Sequence, residues 1–177
     1  MTSGEPGTPA TVTNRGTGAN AVLDFVIPKG DAGTSGTSGL TAYGGKYNNT
    51  AQTIVLNVGT QTVLPLPLSM PMNNVNSTAN GLAIQESGVY EIKYMLSTSP
   101  SLGAAITLAV RRNGSVIPST EERHLLAAVT DSVFSGSVIA DLSAGDVVDM
   151  AVSAATTLTL SLSSGVTVTL SVKKLNS

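Results

Sequence analysis

Apolar and polar residues alternate along most of this chain with a period of two. Tyr90, Ile92, Tyr94 and Leu96 are separated by Glu91, Lys93 and Met95, and Ile106, Leu108 and Val110 by Thr107 and Ala109. Val148, Met150 and Val152 follow the turn Ala144-Gly145-Asp146. Leu158, Leu160 and Leu162 alternate with Thr and Ser, and Val166, Val168, Leu170 and Val172 close the chain. Successive side chains of a strand point to opposite faces, so each run predicts a strand with one buried side. Asn113-Gly114 is a two-residue hairpin signal. Residues 53–57 and 62–66 are also strand-like, although Pro65, Pro67 and Pro71 confine the second to an edge or end it. The best helix candidate, residues 121–129, can equally be a strand. About ten short strands at spacings of roughly 8–15 residues predict an antiparallel sandwich or barrel. Periodicity does not separate a jelly roll from an immunoglobulin-like sandwich.

The first 39 residues follow another rule. Glycine recurs every third position in Gly4-Glu5-Pro6-Gly7-Thr8-Pro9 and again from Gly30 through Gly33 and Gly36 to Gly39. Only glycine fits the crowded axis of a triple helix, so Gly-X-Y is the collagen repeat, here in two short runs. Between them Thr11-Val12-Thr13 and Leu23-Asp24-Phe25-Val26-Ile27 predict a β-hairpin across the turn-rich residues 14–18. Two strands bury no core of their own, so this module is expected to pair with copies of itself or dock on a neighbouring head. Leu23, Phe25 and Ile27 are the candidate assembly strand. The division expected is 1–39, a linker and β module flanked by collagen-like triplets, and 40–177, one all-β domain.

Charge changes the picture in one direction. Only 11% of residues are charged, against roughly 25% in an average soluble protein, and mean hydropathy is positive at +0.24. A monomer with this surface would be poorly soluble, and burying apolar area between subunits removes the difficulty. A net charge of −2, with no basic run longer than Arg111-Arg112 or Lys173-Lys174, lacks the footprint for nucleic acid. No apolar run approaches the roughly 20 residues of a membrane span, so membrane insertion is not expected. Residues 1–6 lack the basic start and apolar stretch of a signal peptide, so secretion by that route is not expected either. Absence of cysteine excludes disulfides and thiolate metal sites.

Catalytic chemistry finds little to work with. The only imidazole, His124, lies in Glu121-Glu122-Arg123-His124 and reads as a polar loop or strand edge rather than part of a triad. Asp141, Asp146 and Asp149 are too few for calcium unless gathered on a subunit axis, and Asp146 reads more simply as a turn residue. Six aromatic residues leave no obvious sugar-stacking platform, and phosphate-loop and dinucleotide motifs are absent. No enzyme activity, cofactor or metal is expected.

Particular stretches narrow the fold. Glu86-Ser87-Gly88-Val89-Tyr90-Glu91-Ile92-Lys93-Tyr94, Leu108-Ala109-Val110-Arg111-Arg112-Asn113-Gly114, Leu142-Ser143-Ala144-Gly145-Asp146-Val147-Val148 and the closing Thr167–Leu175 occur in the order of strands in the tumour necrosis factor and complement globular-head superfamily. The chain resembles that superfamily over about 135 residues, and more closely its bacterial branch. Thr41-Ala42-Tyr43-Gly44-Gly45-Lys46-Tyr47-Asn48 resembles the opening strand of collagen-like surface proteins of spore-forming Firmicutes, the BclA-like exosporium glycoproteins. The upstream module resembles one found in the same proteins and in phage fibres, whereas the collagen stalk of that family is almost missing here.

The resemblance implies an antiparallel jelly roll for residues 40–177 and a homotrimer whose inward sheets pack around a threefold axis. Candidate core or trimer-interface residues are Tyr43, Tyr47, Tyr90, Ile92, Tyr94, Leu96, Leu108, Val110, Phe134, Val148, Met150, Val168 and Leu170. It also implies a structural, self-assembling head of a spore-surface or fibre protein, its partner being itself as a trimer or a higher-order fibre. The alternative is a phage-fibre or adhesin tip that binds a surface glycan or host receptor through loop residues such as Asn73, Asn74 and Asn76. Location follows the role: exosporium or other extracellular surface, or a virion fibre.

Overall fold

The computed structural model describes residues 2–31 and 39–175. The chain divides into two compact units, residues 1–38 and 39–177. Ala32 to Ser38, which carry most of the second Gly-X-Y run, lie outside the described residues.

The first unit is a single three-stranded sheet of β1 (Thr2–Gly4), β2 (Thr11–Asn14) and β3 (Leu23–Pro28), in the order β1-β3-β2. The expected hairpin is present as the antiparallel pair of β2 and β3, with Val12 opposite Phe25. Asn14 holds its turn, the side-chain oxygen accepting from Gly16 N at 2.9 Å and Val22 N at 3.0 Å. The third strand adds to the expectation: β1 runs parallel to β3, with Ser3 opposite Ile27. Gly4-Glu5-Pro6-Gly7-Thr8-Pro9 is therefore the end of a strand and a turn in this chain. Thr8 closes that turn, its backbone N and its Oγ1 donating to Glu5 O at 3.3 and 2.6 Å. Two triplets make no hydrogen bonds of their own in a polyproline conformation, so pairing with β3 is the more stable arrangement for Thr2–Gly4.

The second unit is a sandwich of two sheets. One contains β4 (Tyr43–Asn48), β5 (Gln52–Leu56), β7 (Leu68–Ser69), β10 (Gly88–Pro100), β14 (Ser132–Leu142), β16 (Leu158–Leu162) and β17 (Val168–Lys174), in the order β5-β16-β10-β17-β4-β7, with β14 also on β10. The other contains β6 (Thr62–Val63), β8 (Val75–Ser77), β9 (Gly81–Ile84), β11 (Ala104–Arg112), β12 (Ser115–Val116), β13 (Glu122–Leu126) and β15 (Val147–Ala154). Its order is β12-β11-β15-β9-β8, with β13 on β11 and β6 on β15. Every pairing among the named strands of this unit is antiparallel, and neighbours in space are mostly distant in sequence, as in a jelly roll. Among the described residues the only helical element is the 3-10 turn Pro118–Thr120, and residues 122–126 are a strand. Asn113 and Gly114, at φ of 53° and 81°, form the two-residue loop between β11 and β12; both φ values are positive, as a type I′ turn requires.

The alternation read from the sequence becomes the core. Tyr90, Ile92, Tyr94 and Leu96 of β10, with Val168 and Leu170 of β17, belong to the same buried cluster as Leu108 and Val110 of β11 and Val148 and Met150 of β15. Phe134 of β14 is also buried, its ring centroid 4.3 Å from that of His124 on β13. The two buried tyrosines keep partners for their hydroxyls, as burial demands. Tyr90 Oη donates to Glu86 O at 2.7 Å, and Tyr94 Oη donates to Glu122 Oε1 at 2.7 Å. Burial, and then the Glu122 carboxylate, push the Tyr94 phenol above its ordinary range.

Tyr94 lies opposite Gly136 in the pairing of β10 with β14. A Cβ at Gly136 would collide with the Tyr94 phenol group and come within 2.9 Å of Glu122 Oε1. Gly136→Ala is therefore expected to destabilise the head by about 1–3 kcal/mol, the usual cost of overpacking. Urea denaturation is the check, and a variant as stable as the parent would mean that the Tyr94 ring moves aside freely.

Candidate interaction face on the outer side of one sheet

Register decides what the outer side of the β14-β10-β17-β4-β7 sheet carries. Val168 pairs with Asn48, Leu170 with Lys46 and Val172 with Gly44, so Lys46 and Asn48 point inward. Tyr43 and Tyr47, expected in core or interface, are accordingly half-buried on the outer side. The two polar residues that occupy inner positions are satisfied locally. Lys46 Nζ donates to Ala79 O at 3.0 Å and also to Thr78 O, and burial lowers its pKa from the ordinary value. Asn48 Nδ2 donates to Thr50 O at 3.1 Å and to Thr167 Oγ1 at 3.3 Å.

Three rows of side chains cross this outer side. In the first, Ser135, Met95, Thr169, Tyr47 and Leu68 are successive partners on β14, β10, β17, β4 and β7. Met95, Tyr47 and Leu68 are only half-buried there; on β14 of the same outer side Val133, beside this row, and Ile139, the partner of Glu91, are each 65% exposed. In the second row Ser171 and Gly45 have little or no side chain. Met70 lies over Gly45, where an added Cβ would stand 2.6 Å from its Sδ. Together with Tyr43, Pro71, Lys93 and Lys173 they outline a depression of about 350 Å³.

The third row sets Glu91 and Lys173 between Ile139 and Tyr43, and Glu91 also reaches Lys93 and Ser137 of the second row. Glu91 Oε2 meets Lys173 Nζ at 2.8 Å, and Glu91 Oε1 meets Lys93 Nζ at 3.3 Å while accepting from Ser137 Oγ at 3.1 Å. These contacts, the hydrogen bond with Lys173 foremost, hold the Glu91 carboxyl down to about 2. A carboxyl with a lowered folded pKa contributes stability that is complete above its unfolded value, here 4.5, and is lost as pH falls towards 2. Between those limits the parent should lose stability more steeply than a Glu91→Gln variant. Acid titration followed by circular dichroism tests this, and parallel curves would remove the network from the account.

The outward side of the second sheet is different in kind. Arg111 of β11 and Asp149 of β15 face each other there in a two-pronged pair, Nε–Oδ1 at 2.7 Å and Nη2–Oδ2 at 2.9 Å. The hydrogen bond with Asp149 raises the guanidinium pKa above its ordinary value. Thr107 and Ser153 lie alongside, half-buried.

The remaining sequence candidates have local work. Asp146 is a turn residue: Oδ2 accepts from Ser143 N at 2.8 Å and Oδ1 from Asn113 Nδ2 at 2.7 Å, and these bonds, that with Ser143 first, lower its pKa. Asp141, Asp146 and Asp149 do not converge. Among the described residues no three side chains of His, Asp or Glu gather as metal ligands would. His124 Nε2 stands 3.1 Å from Glu122 Oε2 on the same strand, an ion-pair geometry rather than that of a triad. Asn73 and Asn74 both donate to Thr41 O, at 2.7 and 2.9 Å, and so pin the start of β4.

Sequence patterning does not single out Met95, Leu68, Val133 or Ile139. Met95 alone leaves a signal, an apolar residue in the same outward phase as Glu91 and Lys93.

Comparison with known proteins agrees with this geometry. The structure is similar to the Eiger TNF of S. frugiperda, with a TM-score of 0.53 and 15% identity over 77% of this chain and 93% of that one. Similarity to murine APRIL is of the same order, 0.51 and 15% over 76% and 98%. At such identities the likeness establishes the fold, a TNF-type jelly roll. No curated protein matches by sequence. The model of the BclA C-terminal domain matches residues 44–176, from the first strand of the sandwich to its last, and the chain thereby belongs to that family.

Proposed function

We infer that residues 40–177 are a structural head that assembles by homotrimerisation, with the outer side of the β14-β10-β17-β4-β7 sheet as its subunit interface. The observation that carries this reading is the apolar row of Met95, Tyr47 and Leu68, with exposed Val133 and Ile139 on β14 of the same outer side. The opposite outer side carries the Arg111–Asp149 ion pair with half-buried Thr107 and Ser153, and Leu125 exposed on its β13 edge. Low overall charge supports the same reading, since so few charges must keep the chain in solution. In this scheme residues 1–39 join the head to a stalk, a layer or another head. The site of action is an extracellular surface such as the exosporium of a spore, with a virion fibre as the alternative.

Light scattering coupled to size exclusion tests the reading on the full chain and on residues 40–177. Trimers of both assign assembly to the head. A trimeric head with larger polymers of the full chain makes the protein a fibre subunit, and monomers of both end the reading. A glycan- or receptor-binding tip shares the fold and trimer but needs a ligand, which screening the trimer on a broad glycan array would detect.

A further inference from the structure

The small amino-terminal unit has an apolar face and no core of its own. Register sets Val12 beside Phe25 and Asn14 beside Leu23 across β2 and β3, and Ser3 beside Ile27 across β1 and β3. All six residues therefore share one side of the sheet. Val12, Leu23, Phe25 and Ile27 are exposed by 57, 52, 39 and 52%, and no described residue of the unit belongs to the buried core. The other side carries Thr11, Thr13, Asp24, Val26 and Pro28; the last three are half-buried, and Asp24 is ion-paired with Arg15 at 2.9 Å. A single-layer sheet of three short strands is stable only when its apolar side is covered.

We propose that this face packs against the same face of other copies of the chain, three sheets turning Val12, Leu23, Phe25 and Ile27 inward toward one another. Charge favours a copy of itself as the occupant. The face bears no charged side chain, only Ser3 and Asn14 as polar members, so it meets its own copy without like-charge repulsion. Tethering favours it as well. Only the short stretch between Pro28 and Tyr43 separates the unit from the first strand of the head, so a trimer of heads holds three such faces at a local concentration on the order of millimolar. Three amphipathic sheets with apolar sides inward close on themselves and leave no apolar face exposed. This extends the reading of the heads as trimers and rests on it.

Absence of cysteine from the chain allows a direct test. Three full-length variants each gain one thiol: Ser3→Cys and Phe25→Cys on the apolar side, and Thr13→Cys, equally tethered, on the other. Ser3→Cys leaves every apolar residue in place, which covers the loss of an anchor in Phe25→Cys. Mild oxidation is followed on non-reducing gels, and native mass is measured by light scattering on the same samples. Disulfide-linked pairs are expected at least about tenfold faster for Ser3→Cys and Phe25→Cys than for Thr13→Cys, in chains of trimeric mass. Trimeric mass with equal rates for all three overturns the inference and leaves the trimeric head standing. Monomeric mass with the side-selective linkage retained on concentration removes the trimeric head but supports self-association of the face. Monomeric mass without selectivity overturns both.

Discussion

A full-length chain carrying Tyr47→Asp and Met95→Asp together should elute as a monomer of 17.8 kDa, where the parent is expected at three times that mass. The two residues flank Thr169 in one row across the sheet, Tyr47 through β4 and Met95 through β10. Both side chains point away from the sandwich core, so the fold tolerates the change. In a trimer built on this face the same positions would bring six carboxylates into the interface. An unpaired buried charge costs several kcal/mol, and six exceed what an interface of ordinary size can offset. Thr107→Asp, on the outward side of the other sheet, adds one such charge and should leave the mass unchanged. A double variant that remains trimeric would move the interface to another surface.

Leu170→Ala is expected to lower the stability of the head by about 2–5 kcal/mol, the cost of removing a buried leucine side chain and leaving a cavity. Leu170 has no exposed surface and sits on β17, which is hydrogen-bonded on both sides, to β10 and to β4. Its loss therefore opens a hole in the middle of the sheet and of the hydrophobic cluster. The neighbouring Ser171→Ala, one residue on and facing outward, should stay within about 0.5 kcal/mol of the parent. Urea unfolding is to be compared at one protein concentration, because subunit association makes apparent stability depend on concentration. Equal midpoints for the two variants would contradict the inward orientation of Leu170.

The long runs of alternation are β10, β11, β15, β16 and β17, and they are legible in the amino-acid pattern because a buried face imposes its period on a strand directly. Asn113-Gly114 and Asp146 form the turns their side chains predict. The proline cluster ends β6 after Thr62–Val63. Strands of two or three residues, such as β7, β8 and β12, escape such patterning because they are too short to repeat it. The same holds for β1; only its partner β3 makes Thr2–Gly4 a strand.

The outer side of the β14-β10-β17-β4-β7 sheet is legible in the sequence only in fragments. Tyr43 and Tyr47 stand out as aromatic residues, but nothing in Tyr43-Gly44-Gly45-Lys46-Tyr47-Asn48 tells which phase points inward. Hydrophobicity alone would bury the tyrosines. The fold instead turns Lys46 and Asn48 inward, where backbone carbonyls and Thr167 satisfy them, and turns the tyrosines out beside Met95 and Leu68.

By itself the sequence determined the strands with one apolar face, the turns between them, the low charge that calls for burial between subunits, and the family motifs in their order. Those features are local, set by the period of side chains along one strand and by the backbone preferences of residues such as Asn, Gly and Pro. Strand order, the choice of outer side and the pairing of Glu91 with Lys173 were decided by tertiary structure alone. They depend on register between segments far apart in the chain, and a shift of one residue in that register would exchange the inner and outer faces of a strand.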